Sequence, residues 1–252
     1  MAVTPDVARV GIEKSLAQLV ADLRSAAGDN VLGVALYGGL AKGRFTPGIS
    51  DVNVLVVLRT TALADLERLA PVLTGARRSS RVSAFIATPD DLRDAARLFP
   101  VKMRDIQLAH HVLYGEVPLA QLQIDRLALR QRALQELGNM RFRLRQRAVE
   151  RGADPRVLWG GVMLNLPKLA VTLETMLRAR PGAPPPPPPP ADRASVLREA
   201  GQALGVAPQK LEPFLHLHRH ETAPPDATVR ELFDRYVELV AEFAQRLAAS
   251  EP

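Results

Sequence analysis

Asp51 and Asn53 stand two residues apart at the head of the run Val52-Asn53-Val54-Leu55-Val56-Val57. Side chains in a strand alternate with a period of two, so these polar groups face the same way. Upstream lies Leu36-Tyr37-Gly38-Gly39-Leu40-Ala41-Lys42-Gly43, an apolar run that ends in a glycine pair. With no Cβ at Gly38 or Gly39, the backbone there is able to approach a bulky anion. A carboxylate that can hold a hard divalent cation, set beside a gap of phosphate size, is the layout of phosphoryl or nucleotidyl transfer. Each part alone has an ordinary explanation: glycine pairs end many strands, and an aspartate after Ser50 can cap a turn. The conjunction carries the functional reading.

Other chemistry-bearing residues are more scattered. His216, His218 and His220 alternate, a metal-ligand pattern on a strand, but on a helix only 216 and 220 share a face. His110-His111 reads as the lining of a domain boundary, and Trp159 as core. No Ser-His-Asp order, Walker loop or dinucleotide fingerprint is present. The absence of cysteine excludes disulfides, iron–sulfur clusters and thiolate zinc sites.

The elements that must position Asp51 and the glycine pair follow from the flanking pattern. Thr4-Pro5-Asp6 starts a helix whose apolar stripe is Ile12, Leu16, Leu19, Val20 and Leu23, and Gly28-Asp29-Asn30 ends it. Strands are expected at 31–37 and 52–58, a helix at 61–73 and a short strand at 82–87. Thr88-Pro89-Asp90-Asp91 begins another helix, with an acid three residues after the cap. A strand at 101–106 and a short helix at 107–113 complete an α+β domain over residues 1–120. Beyond residue 121 the strand signals vanish. Helices are expected at 124–150 and 155–179 (the latter interrupted by Pro167), near 192–204 and 207–217, and over the last well-patterned stretch from Val229 to Leu247. The proline run 184–190, within a loop at 181–191, reads as an exposed polyproline II spacer. Residues 121–252 are therefore expected to form an all-helical domain.

The 252 residues suffice for one large domain or two modest ones, and 47% hydrophobic composition fits a globular chain. The start Met1-Ala2-Val3-Thr4-Pro5-Asp6 has neither a basic nor an apolar run, so no leader is read there. No segment approaches the length of a membrane span, so no membrane partner is expected and the cytoplasm is the default location. Eight arginines and two acids lie between Arg126 and Arg151, which equals the whole net charge of +6. Such a cluster serves RNA or a triphosphate, or is simply a solvated helix face in an arginine-rich chain.

Gly38-Gly39, the loop, and Ser50-Asp51-Val52-Asn53 on a strand resemble the nucleotidyltransferase domain of the DNA polymerase β superfamily. More narrowly, they resemble a bacterial nucleotidyltransferase-like group in which the second metal-ligand acid is replaced by Asn. The resemblance covers residues 31–115 and implies a mixed sheet. It also implies transfer of a nucleoside monophosphate from an NTP to an acceptor, with Asp51 and Asp105 binding Mg²⁺ as the catalytic carboxylates. Asp105 is assigned by default, because strand 82–87 offers no acid. Gly38, Gly39, Lys42, Ser50 and Asn53 would then bind the nucleotide, with Lys42 neutralising the triphosphate and the helical domain closing over the cleft. Asn53 brings no charge to the bridging position, so weak metal binding is expected. The alternatives are a non-catalytic nucleotide- or RNA-binding module on the same fold, or a helical interaction scaffold.

Overall fold

The computed structural model describes residues 5–44, 50–180, 192–217 and 222–250, the side chains of 5–10 excepted. The polyproline run, His218 and His220 lie outside the described residues. The chain is α+β, with a four-stranded mixed sheet in the first half and, among the described residues, helices alone in the second. It divides into two compact units, with the boundary between Gln123 and Ile124.

In the first unit, helix α1 (Pro5–Ala27) runs into a single 3-10 turn and then strand β1 (Val31–Tyr37). Strand β2 (Val52–Leu58), helix α2 (Leu63–Ser80) and strand β3 (Val82–Ala87) follow. Helix α3 (Pro89–Leu98), helix α4 (Pro100–Leu108) and strand β4 (His110–Gly115) complete it. The strand order is β3-β2-β1-β4. Only β2 and β3 are parallel, joined by α2 as the crossover; the other pairs are antiparallel. β2 is central and buried on both faces from Val54 to Leu58, which explains its unbroken aliphatic run.

One face carries Val34, Leu36, Val52, Val54, Val56 and Leu58 against Leu16, Leu19 and Leu23 of α1 and Leu69 of α2. Fully burying each such side chain stabilises the fold by roughly 1.5–3 kcal/mol. Leu55 and Val57 point to the other face and are also buried, as are Leu92, Met103 and Ile106 of α3 and α4. Lys102 on α4 lies 3.8 Å from the ring centroid of Phe85, which pairs in register with Leu55. α4 therefore covers this second face. At Gly33 a Cβ would meet the Glu116 carbonyl oxygen at 2.2 Å, so β1 requires glycine where the chain leaves β4.

The expected helix at Thr88 is present with its full capping box: Thr88 Oγ1 accepts from the Asp91 amide, and Asp91 accepts from the Thr88 amide. Two expectations fail next to it. Residues 101–106 are helix, not strand, and much of 107–113 is strand, not helix. Buried positions Val101, Met103 and Asp105 mimic a period of two, but Ile106 beside Asp105 is also buried, as a helix allows. Pro100 occupies the first helical position, where its fixed φ and missing N–H are tolerated. His110 to Gly115 then pairs with β1, which pulls residues with a weak helical pattern into an edge strand.

The second unit contains α5 (Arg126–Glu150), α6 (Pro155–Arg178), α7 (Arg193–Leu204), α8 (Pro208–Leu215) and α9 (Asp226–Ala249). α5 packs on α6 and α9, and α6 also packs on α7 and α9. α6 runs through Pro167, which is exposed and removes the amide that would bond the Met163 carbonyl. At the centre, Tyr236 is fully buried, donates to Met140 Sδ at 3.3 Å and packs edge-on to Phe214. Burial pushes its phenol well above the ordinary tyrosine range. Arg178, buried on α6, forms a two-pronged bond to Glu199 of α7, both contacts at 2.5 Å. No helix among the described residues is long and apolar enough to cross a membrane.

Candidate functional site

Sheet register assembles the site. Tyr37 pairs with Asn53 on one side and His110 on the other, and Asn53 pairs with Ser83. Directly paired residues share a face, so Ser83, Asn53, Tyr37 and His110 form one polar row across all four strands. The row lies on the face that α4 covers. At its centre Gly38 turns the chain with φ +77°, and a Cβ there would lie 2.9 Å from Asn53 Nδ2. The following residues coil tightly: the Lys42 amide donates to the Gly38 carbonyl at 3.1 Å, and Arg44 donates to Gly39 at 2.7 Å. Only a residue without a side chain fits Gly38 against Asn53 without strain.

That coil carries Lys42 inward. Its side chain is 6% exposed, and its ammonium makes an ion pair with Asp105, itself buried on α4. The negative charge of Asp105 also reaches Tyr37. Burial and then Asp105 push the Tyr37 phenol up to about 12. His111 Nε2 and the Ala41 carbonyl lie 3.3 Å apart, while His110 Nδ1 lies 3.0 Å from the Ile106 carbonyl. His110 belongs to the polar row, whereas His111, paired with Leu36, lies on the other face of the sheet. Lys102, over Phe85, has its pKa lowered by burial.

Asp51 sits one residue ahead of β2, and Arg81 one residue ahead of its parallel partner β3, so the register brings them side by side. Arg81 Nη2 donates to Asp51 at 3.1 Å, and Arg77 approaches the same oxygen at 3.6 Å. Arg81 takes the left-handed conformation (φ 54°) as it turns the chain out of α2. The Val52 amide donates to its carbonyl at 3.1 Å, locking the corner. Ser50 stands immediately ahead of Asp51 and is half-buried.

The sequence reading pointed to Asp51, Asn53, Ser50, Lys42, Gly38, Gly39 and Asp105. It gave no role to Tyr37, Ser83, Arg77 or Arg81. Arg81 has no local signal: only the parallel β2–β3 register, with Val52 opposite Val82, sets residue 81 beside residue 51. The strand assignment for Asp105 is corrected to helix. Its carboxylate reaches the pocket from α4 and meets Lys42, 63 residues away.

Nucleotidyl transfer on a bridged pair of divalent cations needs carboxylates free to share both ions. Here Asp51, in its exposed pairs with two arginines, is the one carboxylate able to change partners: Asn53 is neutral, Asp105 is buried against Lys42, and β3 contributes Ser83 rather than an acid. Among the described residues, no group of three or more His, Cys, Asp or Glu gathers to hold a metal ion. This donor set does not fit the bridged metal pair.

The arginines of α5 divide into two kinds. Arg130 donates to the carbonyls of Leu247, Ala248 and Ser250 at the end of α9, and Arg132 pairs with Glu136. Arg143, Arg145, Arg147 and Arg151 are exposed, as is Phe142 between the first of them and Arg141. His216 is exposed just past α8.

No protein-family model matches this chain, and no curated protein does. Among solved structures, one similar chain is the spectinomycin adenyltransferase AAD(9) from Enterococcus faecialis, crystallised with ATP and spectinomycin. The match has 12% identity and a TM-score of 0.40, and covers 89% of this chain and 98% of that one.

Proposed function

We propose that the N-terminal unit is a nucleotidyltransferase-type domain that binds a nucleoside triphosphate, with the phosphates lodged at the Gly38-Gly39 turn. The observation that carries this reading is the convergence of Tyr37, Asn53, Lys42 and Asp105 at one end of the sheet, around a turn that excludes side chains. Asp51 and its two arginines stand at the same strand ends. A triphosphate is a compact polyanion, and an ammonium with nearby guanidinium groups is its natural complement.

Transfer of the nucleoside monophosphate to an acceptor is a second reading, and one observation favours it. The Asp51 side chain is 41% exposed and its arginine partners are more so. Such exposed pairs contribute only about 0–1 kcal/mol, so Asp51 can exchange them for a ligand.

Titration of ATP into the purified chain by calorimetry, with inorganic tripolyphosphate as competitor, tests the proposal. ATP is expected to bind and tripolyphosphate to displace it. If neither ATP nor the other three nucleoside triphosphates binds, the reading is wrong. Pyrophosphate release during incubation with NTP separates the two readings: release supports transfer, and tight binding without release leaves binding alone.

A further inference from the structure

We infer that Lys42 does in this pocket the charge neutralisation that a divalent cation does in two-metal sites, so that the chain takes its triphosphate metal-free. This inference rests on the triphosphate reading above.

Three observations carry it. Lysine is among the residues least often buried, yet Lys42 is almost fully withdrawn from water. The coil that follows the glycine pair puts it there, through the Lys42 amide bond to Gly38. Its ammonium is thus held next to the turn that admits phosphate, not at the tip of a mobile surface side chain.

The second observation is Asn53. A carboxylate at this place would add charge for a cation, whereas the amide, packed against Gly38, adds none. The third is the local balance of charge. Lys42 pairs with Asp105, and Arg77 and Arg81 both pair with Asp51, so in these ion pairs at the strand ends three cations meet two carboxylates. A divalent cation entering alone would meet net repulsion, and a polyanion net attraction. The ligand class that fits is therefore the free triphosphate polyanion. Asp105 keeps Lys42 in place while the site is empty and shares it once phosphate arrives.

The test compares ATP binding by calorimetry in EDTA and in excess magnesium. Affinity in EDTA is expected to equal or exceed that in magnesium. The double variant Lys42→Met with Asp105→Asn removes both buried charges together, so neither is left unpaired. It should weaken ATP binding in EDTA by roughly ten- to hundredfold, the loss of a charged hydrogen-bond donor. Asp105→Asn alone releases the ammonium from its partner and should tighten binding, which keeps the inference testable should the double variant fail to fold. Binding that needs magnesium overturns this inference and leaves the proposed function standing. Unchanged affinity in the folded double variant, or no tightening in Asp105→Asn, also overturns it. No ATP binding in either buffer overturns the proposed function itself.

Discussion

Each unit of this protein buries a cation against a carboxylate, and the two pairs are built differently. Arg178 and Glu199 sit on neighbouring helices, α6 and α7, and meet fork to fork at 2.5 Å twice over. The planar guanidinium is fixed in orientation by that geometry. Lys42 and Asp105 join a glycine-rich coil to a short helix, and the ammonium is a point charge whose donors rotate. A two-pronged clamp between regular elements suits the fold. A rotatable charge on a loop, next to a turn with no side chains and a row of polar groups, suits a ligand. Burial alone does not tell the two apart; the element that carries the cation does.

The largest effect expected from breaking this comparison is on stability, in the helical unit. Arg178→Met should cost about 2–4 kcal/mol in urea unfolding. That is somewhat below the 3–5 typical of a broken buried pair, because Glu199 keeps a route to water. ATP affinity per folded molecule should not move. A fall in affinity, or a cost below about 1 kcal/mol, would erase the distinction between the pairs.

Gly38→Ala should act on both quantities. It forces an L side chain into φ +77° with its Cβ against Asn53 Nδ2, which costs about 1–2 kcal/mol. It also narrows the gap assigned to phosphate, so ATP affinity should drop while the melting temperature falls by a few degrees. Retained affinity in a folded Gly38→Ala protein would move the ligand away from this turn.

The smallest effects sharpen the picture for α5. Arg130→Gln should cost about 1–2 kcal/mol, because Arg130 closes three carbonyls at the end of α9. Arg145→Gln, on the exposed face, should change stability by less than about 0.5 kcal/mol. Equal costs in denaturant titrations would mean that the two arginines are not different in kind.

The strands β1, β2 and β3 and the helices α1, α3 and α9 were legible because their signals are local. They are aliphatic runs of the right length, a proline at a helix start, the Thr88–Asp91 box, and a long apolar stripe from Val229 onward. The exchange of α4 and β4 was not legible. Both segments are short, their burial fits either period, and β4 is strand only because β1 offers it a partner. The site divides along the same line. Gly38, Lys42, Asp51 and Asn53 stand within one short stretch and announce themselves by type and spacing. The ion pairs Lys42–Asp105 and Arg81–Asp51 depend on which helix covers the sheet and on which strands run parallel, and neither is written in any local pattern.

The distance along the chain between Lys42 and Asp105 also limits how this pocket can be moved or rebuilt. Closing a loop of 63 residues costs roughly 4 kcal/mol in chain entropy, before any constant term. One ion pair does not offset that; the β1–β4 ladder and the packing of α4 on the sheet do. A peptide copied from the glycine turn to β2 would keep the recognisable residues and lose the pocket. The smallest portable piece is the four-stranded sheet with all four of its helices, since α1 and α2 bury the face opposite α4 and α2 joins β2 to β3, and a designer who grafts less would transplant the signature without the site.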